Sequence, residues 1–138
     1  MREIVFRAKR KDNGEWVYGS LLIQAGERIN KDELTPAEYR ILGCRGENHL
    51  VDPKTVGEYT GLTGGKGTKI FEGDIVKHIQ EYEISDKVES IAVIKWNEAY
   101  TCWSIEYTNG RITAFLGMEY HRIEVIGNIH DNPELLKE

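Results

Sequence analysis

"WSIEYTNGRITA", residues 103–114, alternates large apolar residues with polar ones on either side of an Asn-Gly pair. Trp103, Ile105 and Tyr107 share one face before the pair, and Ile112 and Ala114 follow it at the same spacing. Period two is the period of a strand, and Asn-Gly tolerates the positive φ that a tight hairpin turn demands. The stretch predicts a β-hairpin, and the pattern repeats outward from it.

Towards the C-terminus, Arg122–Ile129 reads as a strand and Asn132-Pro133-Glu134-Leu135-Leu136 as a helical turn. Towards the N-terminus, strands are expected around Arg111–Phe115, Thr101–Thr108, Val88–Asn97, Lys69–Ile79 and Thr55–Thr60. Glu81, Glu83, Asp86 and Glu89 make an acidic loop, the segment freest to vary. Ile4, Phe6 and Ala8 share a face of a first strand, and Asp12-Asn13-Gly14 marks a second hairpin turn. From Glu15 to Gln24, Trp16, Tyr18 and Leu22 alternate with Val17, Leu21 and Ile23. Both faces are apolar, which predicts a strand that is central or covered on both sides. Ala25–Leu34 is polar and reads as a loop. Thr35-Pro36-Ala37-Glu38 has capping-box spacing with Pro in the first turn, and predicts a short helix ended by Gly43 and Gly46. Short strands closed by turns point to a small β-barrel or sandwich.

The chain has 138 residues, 40% of them hydrophobic and 30% charged, enough for one domain with a polar surface. Its longest aliphatic runs, Leu21–Ile23 and Ile91–Ile94, fall far short of the ~20 residues that span a bilayer. The opening MREIVFRAKRKDNG lacks the apolar run of about 7–15 residues that marks a secretory signal. Cys44 and Cys102 have no CxxC spacing, and reduced thiols in a cytoplasm are the plain reading. Net charge is −5, which argues against a life spent on phosphate contacts. The local exception is Arg2, Arg7, Lys9, Arg10 and Lys11, opposed there by Glu3 alone. Such an arm on an acidic body could touch nucleic acid, but a strand end and hairpin with solvated lysines is the favoured reading.

Thr60–Val76, "TGLTGGKGTKIFEGDIV", is the stretch closest to a phosphate cradle. A P-loop needs Gly-x-x-x-x-Gly-Lys-Ser/Thr between a strand and a helix. Here Gly65-Lys66 is present, but Thr60 holds the first glycine position, Gly67 the hydroxyl position, and a strand follows. A turn between strands is the expected reading, with a bend at Gly73-Asp74. His49, His78, His121 and His130 form no close-spaced metal pattern. A long-range site of His49, Asp52 and His130 stands against solvated or core-edge histidines. Cys102 would need a histidine base supplied by the fold, and Cys44 lowered in pKa by its arginines is set against a plain surface thiol. Glu72 and Asp74 share a strand face, as acid/base pairs do and as turn carboxylates also do. Trp16, Tyr18, Trp96, Tyr100, Trp103 and Tyr107 would suit a stacking platform, although such strand aromatics usually pack in a core.

Three blocks together resemble the YopX-like family. They are Glu3-Ile4-Val5-Phe6-Arg7-Ala8, then Val51–Leu62 (VDPKTVGEYTGL) with Ile70–Val76 (IFEGDIV), and finally Ile123–Leu136 (IEVIGNIHDNPELL). The blocks keep family order across nearly the whole chain. The sequence departs from the pattern at Thr63–Thr68, where an Asp/Asn-Gly turn is expected, and carries its own loop at Gln80–Lys87. The resemblance implies a bacteriophage or prophage protein, mostly β, whose later part is like an SH3-type barrel. It implies no activity. The expectation is a mainly β chain: an N-terminal β-hairpin and one short helix over residues 1–49, packed on an SH3-like barrel or roll over 50–138, as one folding unit. The expected function is a non-catalytic interaction module in the host cytoplasm, without cofactor or metal. A host or phage protein is the expected partner, nucleic acid the alternative, and self-association is expected. Arg7, Lys9, Arg10 and Lys11 are the candidate surface.

Overall fold

The computed structural model describes residues 1–81, 86–114 and 122–137, so Glu83, Phe115 and His121 lie outside the described residues. The chain is mainly β and forms two compact units, residues 1–58 and 59–138.

The first unit holds β1 (Phe6–Lys9), β2 (Trp16–Gln24), β3 (Glu38–Leu42), β4 (Asn48–Val51) and the start of β5 (Gly57–Thr63). They pair antiparallel in the order β4-β3-β2-β1-β5. The predicted Asp12-Asn13-Gly14 turn joins β1 to β2, with Gly14 at φ +71° and its N–H donating to the Arg10 carbonyl at 3.0 Å. One face of this sheet buries Ala8, Ile41 and Val51, with Phe6, Val17, Leu21, Tyr39 and Val56 packed around them. The far strand is tied back to the first: Arg10 bridges Val51, Lys11 N–H donates to Leu50, and Asp52 N–H donates to Lys9. At Gly19 a Cβ would stand 2.1 Å from the Leu42 carbonyl oxygen, so only glycine admits this approach of β2 to β3.

The expected short helix is a strand. Thr35 does not cap it; its Oγ1 accepts from Glu27 N–H at 2.6 Å and closes the preceding loop. Glu38–Leu42 then pairs with β2 on one side and β4 on the other. A helix of two turns is marginal on its own, whereas alternating Tyr39 and Ile41 gain a core by lying in a sheet. Single 3₁₀ turns stand at Pro53–Thr55 and Pro133–Leu136, the latter where a turn was expected.

The second unit contains the rest of β5, then β6 (Lys69–Phe71), β7 (Asp74–Glu81), β8 (Lys87–Asn97), β9 (Cys102–Tyr107), β10 (Ile112–Ala114) and β11 (Ile123–Asn128). β7 to β11 form an antiparallel sheet in the order β10-β9-β8-β7-β11. Among the described residues this sheet stays open and does not close into the expected barrel. Its core face carries Val76, Ala92, Ile94, Ile105, Tyr107 and Ile123, joined by Ile70 from β6. The Asn109-Gly110 turn joins β9 to β10 as the alternation required, with Gly110 at φ +87°. The expected bend at Gly73 is real: φ is +86°, and Asp74 accepts the Phe71 N–H at 2.8 Å to close the turn between β6 and β7.

Candidate functional site

The two-residue period divides the four basic candidates. Arg7 and Lys9 stand on the outward face of β1, opposite Tyr18 and Trp16 of β2. Arg7 is only 7% exposed, its guanidinium 4.8 Å from the Trp16 ring centre, and the Lys9 ammonium lies 5.5 Å from the same ring. Such cation–π contacts hold each charge against the ring. Arg10 grips Asp12 through Nε at 2.9 Å and Nη2 at 2.5 Å. That hydrogen bond holds the Asp12 carboxyl below its ordinary pKa and raises that of Arg10. Lys11 sits exposed in the turn. The four cations thus do not form one patch: two hold an aromatic ring, one holds a carboxylate, and one is on the turn.

What the alternation does assemble is an apolar row along the outward face of β2. Trp16, Tyr18 and Leu22 lie on it, with the exposed Ser20 between the last two, and Tyr18 is 53% and Leu22 42% exposed. Both neighbours of β2 are paired strands, so this exposure belongs to the middle of a sheet rather than to a frayed edge. β2 is central, the first of the two expected alternatives, and part of its outward face is left uncovered. Opposite Leu22 stands Arg40, held by Glu38 at 3.1 Å and Asn48 at 3.3 Å. The row was legible as alternation, but its outward direction needed the register with β1, whose other face carries Phe6 and Ala8 into the core. The other aromatics divide likewise: Tyr107 is core and Trp103 packs on it, while Trp96 and Tyr100 are exposed.

The glycine-rich loop is a hairpin turn between β5 and β6. Its N–H groups are spent inside the protein: Gly64 donates to Thr68, Gly67 to Gly64, and Gly65 to Ile123. An anion there would have to displace those bonds, and β6 rather than a helix N-terminus follows. The adjoining cleft, about 320 Å³, has Lys66 on its rim, paired with Glu124 at 3.2 Å. Glu72 and Asp74 flank the β6–β7 turn, and Asp74, 1% exposed, serves backbone geometry there. His49 lies on β4 of the first unit and His130 after β11 of the second. Among the described residues no three His, Cys, Asp or Glu side chains cluster as metal ligands. Cys44 is exposed, and Cys102 lines a shallow cleft with Tyr100, Ser104 and Ile112 that contains no histidine among the described residues. No helix among the described residues is long and apolar enough to cross a membrane.

These features define a two-unit, mainly β protein with an exposed aromatic and aliphatic row. Residues 5–137 match the family described as YopX protein, and the chain belongs to that family. Among solved structures it is similar to protein EF1440 from Enterococcus faecalis, at 21% identity over 99% of this chain and 100% of that one, with a TM-score of 0.49. No curated protein matches it.

Proposed function

We propose that the chain is a non-catalytic, phage-encoded interaction module that binds a protein partner through the outward face of β2. The observation that carries this reading is the exposure of Tyr18 and Leu22 on a central strand. A large aromatic side chain such as Tyr18, held rigidly by a sheet, binds at low entropic cost, and aromatic anchors are enriched at the hot spots of protein interfaces. Phage origin rests on the family resemblance, and a cytoplasmic setting on the reduced-thiol reading of Cys44 and Cys102. The SH3-like description of the second unit is supported by its β7–β10 meander, with β11 returning beside β7. Self-association through the same face belongs to the proposal as well.

Charge favours protein over nucleic acid as partner. Residues 1–58 hold ten Lys/Arg and ten Asp/Glu, and residues 59–138 hold eight and thirteen. Neither unit offers the net positive field of a phosphate binder, and the ring of Trp16 is already engaged by cations. The test is affinity capture from host lysate at about 150 mM salt, where exposed charges are screened beyond roughly 8 Å. A protein retained with or without nuclease supports the proposal. Retention that disappears on nuclease treatment contradicts it and favours nucleic acid.

A further inference from the structure

We infer that His78 and Tyr107 form an acid-sensitive latch, which holds β9 to the middle of the second unit's sheet and lets go when His78 takes up a proton. His78 lies on β7 and Tyr107 on β9, with β8 between them. Their partners on β8 are Ser90 and Ala92, both small, and over these the two side chains meet. The His78 Nδ1 and the Tyr107 hydroxyl are 2.8 Å apart, with ring centres at 6.1 Å. Both residues are more than nine-tenths buried.

The surroundings suit a neutral ring and oppose a charged one. From β11, Ile123 stands opposite His78, and Arg122 directly precedes it. From the β9–β10 turn, the Arg111 guanidinium lies 5.0 Å from the Tyr107 ring centre. β8 contributes Ser90, which carries no charge. Among the described residues, the carboxylates near these strands face other cations: Glu81 meets Arg122 and Lys87, Glu89 meets Lys77, Glu106 meets Lys95, and Glu124 meets Lys66. Burial first, then Arg111 and Arg122, push the His78 pKa below its ordinary value. A tyrosine hydroxyl also accepts from an imidazolium, so protonation does not itself break the bond. The charged ring instead gains by leaving for water, and its departure breaks the bridge between β7 and β9.

The direction with pH follows. Above the unfolded value of about 6.5, His78 is neutral in both states and nothing is lost. Below it the unfolded or opened state binds the proton first. Stability then falls with pH until the folded pKa is reached, by at most about tenfold in the equilibrium constant per pH unit.

The test is carried out on the full chain by NMR. The His78 ring is expected to titrate below about pH 6.5. Amide protection factors across Ser104–Tyr107 are expected to fall between about pH 7.5 and pH 5, at no more than roughly tenfold per unit, while those of Leu21 and Ile41 in the first unit hold. His78→Asn, which keeps a neutral polar atom beside Tyr107, should abolish the fall. Should that variant not fold, Tyr107→Phe keeps the imidazole: its ring should still titrate low, with β9 already less protected at neutral pH. A His78 midpoint at or above 6.5 overturns the latch. So does β9 protection indifferent to pH, an equal fall in both units, or an undiminished fall in His78→Asn.

Discussion

The first unit closes on little core, and the second on a full one. Ala8, Ile41 and Val51 are the fully buried apolar residues at the centre of residues 1–58. The second unit gathers Ile70, Val76, Ala92, Ile94, Ile105, Tyr107 and Ile123. What the first unit lacks in apolar burial it supplements with backbone ties. Arg10, Lys11 and Asp52 bind the end of β1 to β4, and Lys9 N–H donates to Thr55 Oγ1 at 2.9 Å. The two sheets use their second faces differently. The small first unit needs apolar residues on one face of β2 and leaves Tyr18 and Leu22 in water on the other. In the second unit the apolar face is filled, and Ile75 and Val93 on the opposite face are buried too.

The contrast predicts where substitutions hurt. Ile94→Ala, at 0% exposure in the larger core, should cost about 3 kcal/mol, within the usual 2–5 for such truncations. Chemical denaturation followed through Trp96 and Trp103 in a Trp16→Phe background measures it. A cost below about 1 kcal/mol would mean that the second core is loosely packed. Gly19→Ala should come next, at roughly 2 kcal/mol, because its Cβ meets a backbone oxygen that cannot rotate away. Denaturation followed through Trp16, in a background with Trp96→Phe and Trp103→Phe, reads that loss, and an unchanged midpoint would show that β2 and β3 can move apart. Gly73→Ala should cost about 1–2 kcal/mol through conformation alone, since its new Cβ finds ordinary contact with Ile129 Cγ1 at 3.5 Å while φ stays at +86°. Lys66→Ala should be nearly silent, within about 0.5 kcal/mol, because its ion pair with Glu124 is exposed. Millimolar ATP with Mg²⁺ should leave the melting temperature of either protein unchanged. A rise abolished by Lys66→Ala would return the glycine loop to consideration as a phosphate site.

The hairpins were the most legible part of the fold. Asn13-Gly14 and Asn109-Gly110 carry their backbone requirement in their own chemistry, and the strands beside them alternate cleanly. The bend at Gly73 was legible for the same reason. Glu38–Leu42 was not, because Thr35-Pro36-Ala37-Glu38 spells a helix start, and nothing local records that β2 and β4 would flank the segment. Its neighbour Asn48–Val51 is four residues long, too short to show a period. The basic segment was read as a cluster because it is one in sequence; the strand period then sends Arg7 and Lys9 to one side and gives Arg10 to Asp12. The row on β2 lay within reach. The Asp12-Asn13-Gly14 turn sets Arg7 opposite Tyr18, and since Phe6 and Ala8 take the core face of β1, the face of Arg7 and Tyr18 is the outward one. The His78–Tyr107 pair was not legible, since it joins strands that are neighbours of a common third.

The central claim is that the outward face of β2 serves binding rather than stability. Its most direct test is partner capture by the full chain carrying Tyr18→Ser and Leu22→Ser together, side by side with the unaltered protein. The double variant is expected to fold with a denaturation midpoint close to that of the parent and to retain no partner. Undiminished capture by the folded double variant would contradict it.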